Sequence, residues 1–388
     1  MPDIKRILNL SPLLSKKSYF LLGPRQTGKT FLIRETLPQA KVYNLLLRKD
    51  LQKLSFNPSA IREEITSKDQ IIVIDEIQKL PEILDEVHDL IETQKVHFLL
   101  TGSSARKLKK YGTNLLGGRA RMIRLHPFVT AELGEHFDLL HVANYGLLPS
   151  IYFSDDPEAD LDAYIGLYLQ QEVANEGLVR TLPSFARFME VAATCHGEQV
   201  DYTAVSNDCQ IPRTTIHDYF QILKDTLIGD DLPCWRETVK RKAIATPKFY
   251  FFDWGVARKL MGYGKIEMKT PLFGKAFESF IYQELRAYCD YNGVKHLHYW
   301  RTGDQTEVDF ILDQSIAIEV KSATHVTAKD LSGLIRLKEE RVLKSYYLIY
   351  TGESERRLDI DKDIEVIPYS IFLRRLWSGA LLTHLKTG

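Results

Sequence analysis

The sequence predicts an α/β protein of more than one domain, on three observations. Residues 18–37, SYFLLGPRQTGKTFLIRETL, read as an apolar strand, a glycine loop and an amphipathic helix. Residues 70–81, QIIVIDEIQKLP, read as a strand apolar throughout, fit for the middle of a parallel sheet, ending in two adjacent acids. Residues 306–323, TEVDFILDQSIAIEVKSA, read as two short buried strands that carry Asp309, Glu319 and Lys321, behind a helix with one apolar face, GKAFESFIYQEL. A chain of 388 residues exceeds one comfortable core, and the changes of pattern divide it into segments 1–150, 151–245 and 246–388.

The glycine loop fits G-x-x-x-x-G-K-[ST] through Gly23, Pro24, Arg25, Gln26, Thr27, Gly28, Lys29 and Thr30. Its glycines let backbone N–H groups turn inward around phosphate oxygens, and the helix that follows points its positive end at the same anion. The expected ligands are ATP and Mg2+. Lys29 would reach the β- and γ-phosphates and Thr30 would ligate the metal.

Asp75 and Glu76 close the second strand, where an α/β sheet places its ligands. Asp75 would hold the magnesium and Glu76 would polarise the attacking water. A third strand, KVHFLLTGSSARKLKK, ends in Thr101, Ser103 and Ser104, and Ser103 is placed to sense the γ-phosphate. Next come Arg119, Arg121 and Arg124. Arg119 is the first choice for an arginine finger acting across a subunit boundary, which would require a homo-oligomer; the competing reading is a basic exposed turn.

Hydrophobic residues make up 44% and charged residues 26%, an ordinary globular composition. Fifty-one basic residues balance 51 acidic ones, so there is no bulk electrostatic footprint for nucleic acid or an anionic membrane, and any DNA contact must come from local patches. Cys195, Cys209, Cys234 and Cys289 lack C-x-x-C spacing, which argues against a zinc knuckle or a disulfide framework and for reduced, buried thiols. With no run of about 18 apolar residues and no leader-like segment, the expectation is a soluble cytoplasmic protein without a membrane partner.

The middle segment turns helical. DLDAYIGLYLQQEVANEG has helical apolar spacing, and DYTAVSNDCQIPRTTIHDYFQILKDTLIG reads as helix, turn and helix, followed by the strand-like IGDDLPCW. This suggests a winged helix-turn-helix with Arg213, Thr214, Thr215 and His217 on the exposed first turns of its second helix. Two readings stand side by side: insertion of those residues into a DNA major groove, or a lid or protein-contact module, the latter favoured by the aspartates nearby.

In the last segment Glu319 and Lys321 share a strand face with Val320 on the other. Asp309 and Glu319, with Glu278 on the upstream helix, supply carboxylates for magnesium, and Lys321 would orient or deprotonate a water. The competing reading is a buried ion network without catalysis. Trp300 and Arg301 carry two readings, stacking on or clamping a nucleic-acid backbone or, the favoured one, packing against the following hairpin, and Asp253 and Gly255 read as a structural turn.

The order GPRQTGKT, IIVIDEIQKLP, FLLTGSSARKL, GGRARMIRLHPF resembles the P-loop domain of a widespread family of bacterial and archaeal AAA-type ATPases, and the Asp309, Glu319 and Lys321 pattern resembles the PD-(D/E)XK nucleases. The resemblance covers nearly the whole chain. It implies an AAA-type P-loop NTPase sheet, a winged helix-turn-helix and a restriction-endonuclease-like α/β domain, in that order. The family's ATP-binding residues fall on Lys29, Thr30, Asp75 and Glu76. The implied activity is Mg-dependent ATP hydrolysis coupled to a DNA-associated nuclease-like domain. The alternative is a nucleotide-dependent switch or scaffold whose nuclease-like domain is inert and binds a partner.

Overall fold

The computed structural model describes residues 2–66, 70–104, 116–169, 182–237, 246–355 and 361–383. They fall into two compact units, one of residues 3–127 with 222–228 and one of residues 1–2, 128–221 and 229–388.

In the first unit a five-stranded parallel sheet runs β2-β3-β4-β1-β5, with β1 Ser18–Leu22, β2 Lys41–Asn44, β3 Ile71–Asp75, β4 His97–Gly102 and β5 Ala120–Arg124. The central strands are buried along nearly their whole length, as an all-apolar run requires. The helices α1 Lys29–Thr36, α2 Arg48–Phe56 and α3 Leu84–Gln94 connect them. Ile72, Ile74, Phe98 and Leu100 share one core with Val87 and Leu90 of α3. Because the strands are parallel, β1, β3 and β4 deliver their following loops to one edge of the sheet.

In the second unit, α4 Leu182–Thr194, α5 Tyr202–Cys209 and residues 213–221 of α6 Arg213–Asp225 accompany a small antiparallel sheet in the order β6-β8-β7, whose β6 falls between α4 and α5. Its strands are β6 Glu198–Gln199, β7 Gly229–Leu232 and β8 Lys248–Phe251. The short helix α7 Trp254–Leu260 and the long helix α8 Pro271–Asn292 follow. Thr270 caps α8, accepting from Phe273 N at 3.2 Å, Pro271 opens it with a preset φ, and Gly293 ends it at φ 69°.

A mixed sheet of order β13-β12-β11-β10-β9 completes this unit: β9 Leu297–Arg301, β10 Glu307–Leu312, β11 Ile316–Lys321, β12 Ser345–Tyr350 and β13 Ile364–Pro368. The first three strands are antiparallel and the last three parallel. Helix α8 packs on β9, β10 and β11, and α9, Ser332–Lys338, packs on β10 and β11.

The compact units divide at residue 127, ahead of the break near 150 read from the sequence. Phe128 N bonds to Leu147 O at 2.9 Å and Thr130 N to Glu284 at 2.6 Å, which ties the chain into the second unit from that point. The expected helix DLDAYIGLYLQQEVANEG is helical through residue 169, and the rest of it lies outside the described residues. Trp300 is fully buried in the core of the mixed sheet, and Asp253 caps α7, accepting from Val256 N at 3.2 Å. Cys209, Cys234 and Cys289 are buried free thiols and Cys195 is half-buried. Among the described residues no helix is long and apolar enough to cross a membrane.

Candidate active site

The loop after β1 is anchored by backbone bonds before any ligand is considered. Gly23 N bonds to Gly102 O at the end of β4, and Leu125 N to Leu22 O. A side chain at position 23 would put its Cβ 2.5 Å from Leu125 O, so this close passage admits only glycine. Gly28 has φ 92° and serves as the left-handed entry to α1. Lys29 is buried, and its ammonium donates to Gly23 O at 2.7 Å and Pro24 O at 3.0 Å, at the mouth of the loop. Thr30 is exposed on the first turn of α1.

Arg6 is a component that the sequence reading missed. Its buried guanidinium donates to Thr27 O at 2.6 Å and to His126 O at 2.7 Å, clamping the loop to the chain that leaves β5. A lone arginine in MPDIKRILNLS offers no signal by which to find it.

Asp75 and Glu76 meet a polar set supplied by β4. Thr101 Oγ1 donates to Asp75 Oδ1 and accepts from Glu76 N at 3.2 Å, so one hydroxyl braces both acids. Glu76 adopts φ 61°, a conformation that a non-glycine residue holds only where its surroundings enforce it. Gln78, also missed, is buried; its Nε2 donates to Glu76 Oε2 at 2.5 Å and to Ser103 Oγ at 3.2 Å. Its Oε1 is buried without a hydrogen-bond partner, in the space that the missing side chain of Gly102 leaves open. The predicted set Lys29, Asp75, Glu76 and Ser103 thus follows β1, β3 and β4 at one edge of the sheet.

Arg119 was read as a finger acting across a subunit boundary. It stands one residue before β5, whose Ala120 pairs with Ser18 at the start of β1, while Arg124 pairs with Leu22 beside the loop. Five residues of strand separate the two arginines, about 16 Å. Arg119 therefore lies at the far end from its own loop, paired with Glu92, and Arg124 is the arginine at the loop end.

The second unit gathers the other predicted residues. Phe310 pairs with Ile318 between β10 and β11, and one further step in this register sets Asp309 across from Glu319. Between Val308 and Ile311 the pairing of β10 with β9 slips by one residue, a bulge at Asp309 of the kind that re-aims a side chain. Asp309 Oδ2 accepts from Val320 N at 2.8 Å, and Lys321 donates to Glu319 Oε1 at 2.7 Å. Glu319 Oε2 is buried without a hydrogen-bond partner.

Burial, reinforced by the charges of Glu319 and Glu278, holds the Asp309 carboxyl far above the usual range. Burial likewise pushes Glu319 up to about 7 against the opposing pull of Lys321. A cleft of about 370 Å³ borders Glu319 and Lys321 and is lined further by Lys329, Arg336 and Glu307.

Glu278 is engaged differently from expectation. Its Oε1 receives the Tyr250 hydroxyl at 3.0 Å and stands 3.4 Å from the Lys248 ammonium, which also pairs with Glu307. Glu278, read as a metal ligand, is thus engaged by Lys248 and Tyr250. Lys248 and Glu307 were not read from sequence at all, because β8 lies some distance upstream of the strands it serves. Among the described residues no three of His, Cys, Asp and Glu converge as a metal-holding group.

Comparison with known proteins follows these two regions. Residues 15–134 match the family model of an AAA domain; residues 136–267 and 273–372 each match a domain of unknown function. The N-terminal third is thus similar to an AAA domain, which supports nucleotide binding and hydrolysis there. The two other descriptions assign neither a fold nor an activity.

The chain is 25% identical over 398 aligned residues to uncharacterized proteins of Mycobacterium bovis and Mycobacterium tuberculosis, covering 99% of this chain and 86% of each relative. Among solved structures it is similar to the Aeropyrum pernix Orc1 protein in complex with DNA, at 15% identity, covering 67% of this chain and 94% of that one, with a TM-score of 0.25. It is also similar to a STAND protein with a tetratricopeptide repeat sensor from Pyrococcus horikoshii, at 13% identity, covering 73% and 49%, with a TM-score of 0.21. Likenesses this distant fix no function.

Proposed function

We propose that the first unit binds Mg·ATP and hydrolyses it. The observation that carries this reading is the set Lys29, Asp75, Glu76 and Ser103 delivered by β1, β3 and β4 to one sheet edge around the glycine loop. The Thr30 hydroxyl and the Asp75 carboxylate are hard oxygen donors, the chemistry that magnesium takes. When bound, the metal would neutralise phosphate charge.

The chain's own part is to orient. Lys29 presents its ammonium to the phosphates, the backbone N–H groups of residues 23–30 cradle them, and Glu76, fixed by Gln78, polarises the attacking water. Release of phosphate by the purified chain tests this. Glu76→Gln should retain nucleotide and lose turnover, and turnover equal to wild type would sink the assignment. Transition-state charge also calls for an arginine from a second copy, hence a homo-oligomer; a monomer by gel filtration, with and without a slowly hydrolysed analogue, would remove it.

For the second unit the reading is a winged helix-turn-helix followed by a PD-(D/E)XK-like domain that engages DNA. Supporting it are the α5–α6 pair, the β6-β8-β7 sheet and the exposure of Arg213, Thr214 and His217 on α6. The unpartnered Glu319 Oε2, beside Asp309 and a cleft of mixed charge, fits one hard cation held by two carboxylates. Lys321 would then orient the water that attacks a phosphodiester.

The Lys248 ion pairs favour a second reading, an inert ion network in a partner-binding module. Incubation of plasmid with Mg2+ or Mn2+, wild type beside Asp309→Ala, separates the two: cleavage that the substitution leaves unchanged, or no cleavage at all, ends the nuclease reading.

A further inference from the structure

Lys248 enters the acidic site from β8 and is only 4% exposed. Its ammonium lies 3.4 Å from Glu278 Oε1, pairs with Glu307 Oε1, and sits 5.4 Å from the centre of the Tyr299 ring. The other Glu307 oxygen lies 3.4 Å from Arg301 Nη1. Glu278 and Glu307 therefore face two cations, Lys248 and Arg301, while Lys321 pairs with Glu319.

The first pair of acids is matched in charge by Lys248 and Arg301. A second divalent ion would find its carboxylates already paired, and displacing a buried ammonium from them would leave that charge without compensation.

We propose that Lys248 is a resident cation of this site: it holds the place between Glu278 and Glu307 that a second divalent ion would take, so that the site admits one ion, at Asp309 and Glu319. The admission of that one ion rests on the nuclease-like reading; the exclusion of the other rests on the contacts of Lys248 alone.

The test counts Mn2+ bound per full-length, nucleotide-free chain, reading free Mn2+ by electron paramagnetic resonance. Lys248→Met and Lys248→Gln should each bind one more ion than wild type, and adding Glu278→Gln should abolish the gain. Lys248→Arg, which keeps the charge, should show none. No gain in folded Met or Gln variants overturns the proposal.

Should those variants not fold, Glu278→Gln with Glu307→Gln leaves Lys248 without counter-charge and should weaken Mn2+ at the remaining site about tenfold; unchanged affinity overturns the proposal equally. A wild-type count that Asp309→Asn leaves unaltered removes the single-ion reading of Asp309 and Glu319. The gain on removing Lys248 still decides the role of Lys248 in that case.

Discussion

At the glycine loop the cations face backbone oxygens: Lys29 donates to Gly23 O and Pro24 O, and Arg6 to Thr27 O and His126 O. In the acidic site of the second unit they face carboxylates, Lys248 between Glu278 and Glu307 and Lys321 on Glu319. A carbonyl dipole holds an ammonium more weakly than a carboxylate does, so the loop lysine can be handed to an incoming anion, whereas the lysines of the acidic site are committed to partners within the fold. The first arrangement suits turnover of a polyanion. The second resists any exchange of its charges, and the variants that separate the two regions should differ accordingly.

The largest effects belong to the loop region. Lys29→Ala and Glu76→Gln should each lower ATP turnover by at least about 100-fold, since one removes the cation facing the phosphates and the other the base. Nucleotide binding should persist in Glu76→Gln and fall in Lys29→Ala, measured with a fluorescent ATP analogue. Equal binding loss in both would mean that Glu76 shapes the loop rather than acts on water.

The second unit should show its largest response in stability. Glu284 is wholly buried on α8, accepting from Thr130 N at 2.6 Å, Thr130 Oγ1 at 3.0 Å and Trp377 Nε1 at 2.6 Å. Burial outweighs these donors and pushes the carboxyl from 4.5 up to about 7. A raised acid stabilises the fold fully below its unfolded value, and that contribution is lost as pH rises through the folded one.

Glu284→Gln titrates nowhere and turns an amide N–H toward existing donors, so it should be less stable than wild type. The gap should be widest near pH 4.5 and narrow by up to roughly 3 kcal/mol by pH 7. Urea melts across that range measure it; a gap that does not narrow would show Glu284 ionised throughout.

A smaller effect sharpens the loop side. Gln78→Leu keeps the volume and removes the amide that ties Glu76 Oε2 to Ser103. The expected result is about a tenfold loss in kcat with KM nearly unchanged, because the phosphate cradle is untouched. A matching rise in KM would make Gln78 part of binding.

What the sequence showed and what it hid follow from the same contrast. The loop, Asp75, Glu76 and Ser103 lie on contiguous motifs whose local geometry is set by glycine, helix and strand end, and the strands that carry them are neighbours in one sheet. Asp309, Glu319 and Lys321 were legible because strand alternation and one hairpin bring them together. Arg6, Gln78, Lys248 and Glu307 were not: each works through contacts fixed by tertiary packing, and a single arginine, glutamine or lysine has no periodicity to betray it. Which arginine lies beside the loop was hidden for a related reason, since only the parallel register of β1 and β5 shows that Arg124 stands at the loop end of the strand.

The smallest predicted effect is an exposed counterpart to Glu284. In the first unit Glu64 receives Lys53, the Tyr43 hydroxyl at 2.9 Å and Lys41 at 3.5 Å. The Lys53 ammonium, then Tyr43, lower its carboxyl from 4.5 to about 2. A lowered acid contributes stability that is present above the unfolded value and lost as pH falls through the folded one, the reverse of Glu284. Because the group is more than a third exposed, water screens most of that advantage, and Glu64→Gln should cost at most about 1 kcal/mol at pH 7. The deficit should shrink in 1 M salt and disappear toward pH 2, while the Glu284→Gln gap, buried from counterions, should hardly respond to salt. A Glu64 deficit indifferent to salt would instead assign the effect to packing of Tyr43 against the two lysine stems.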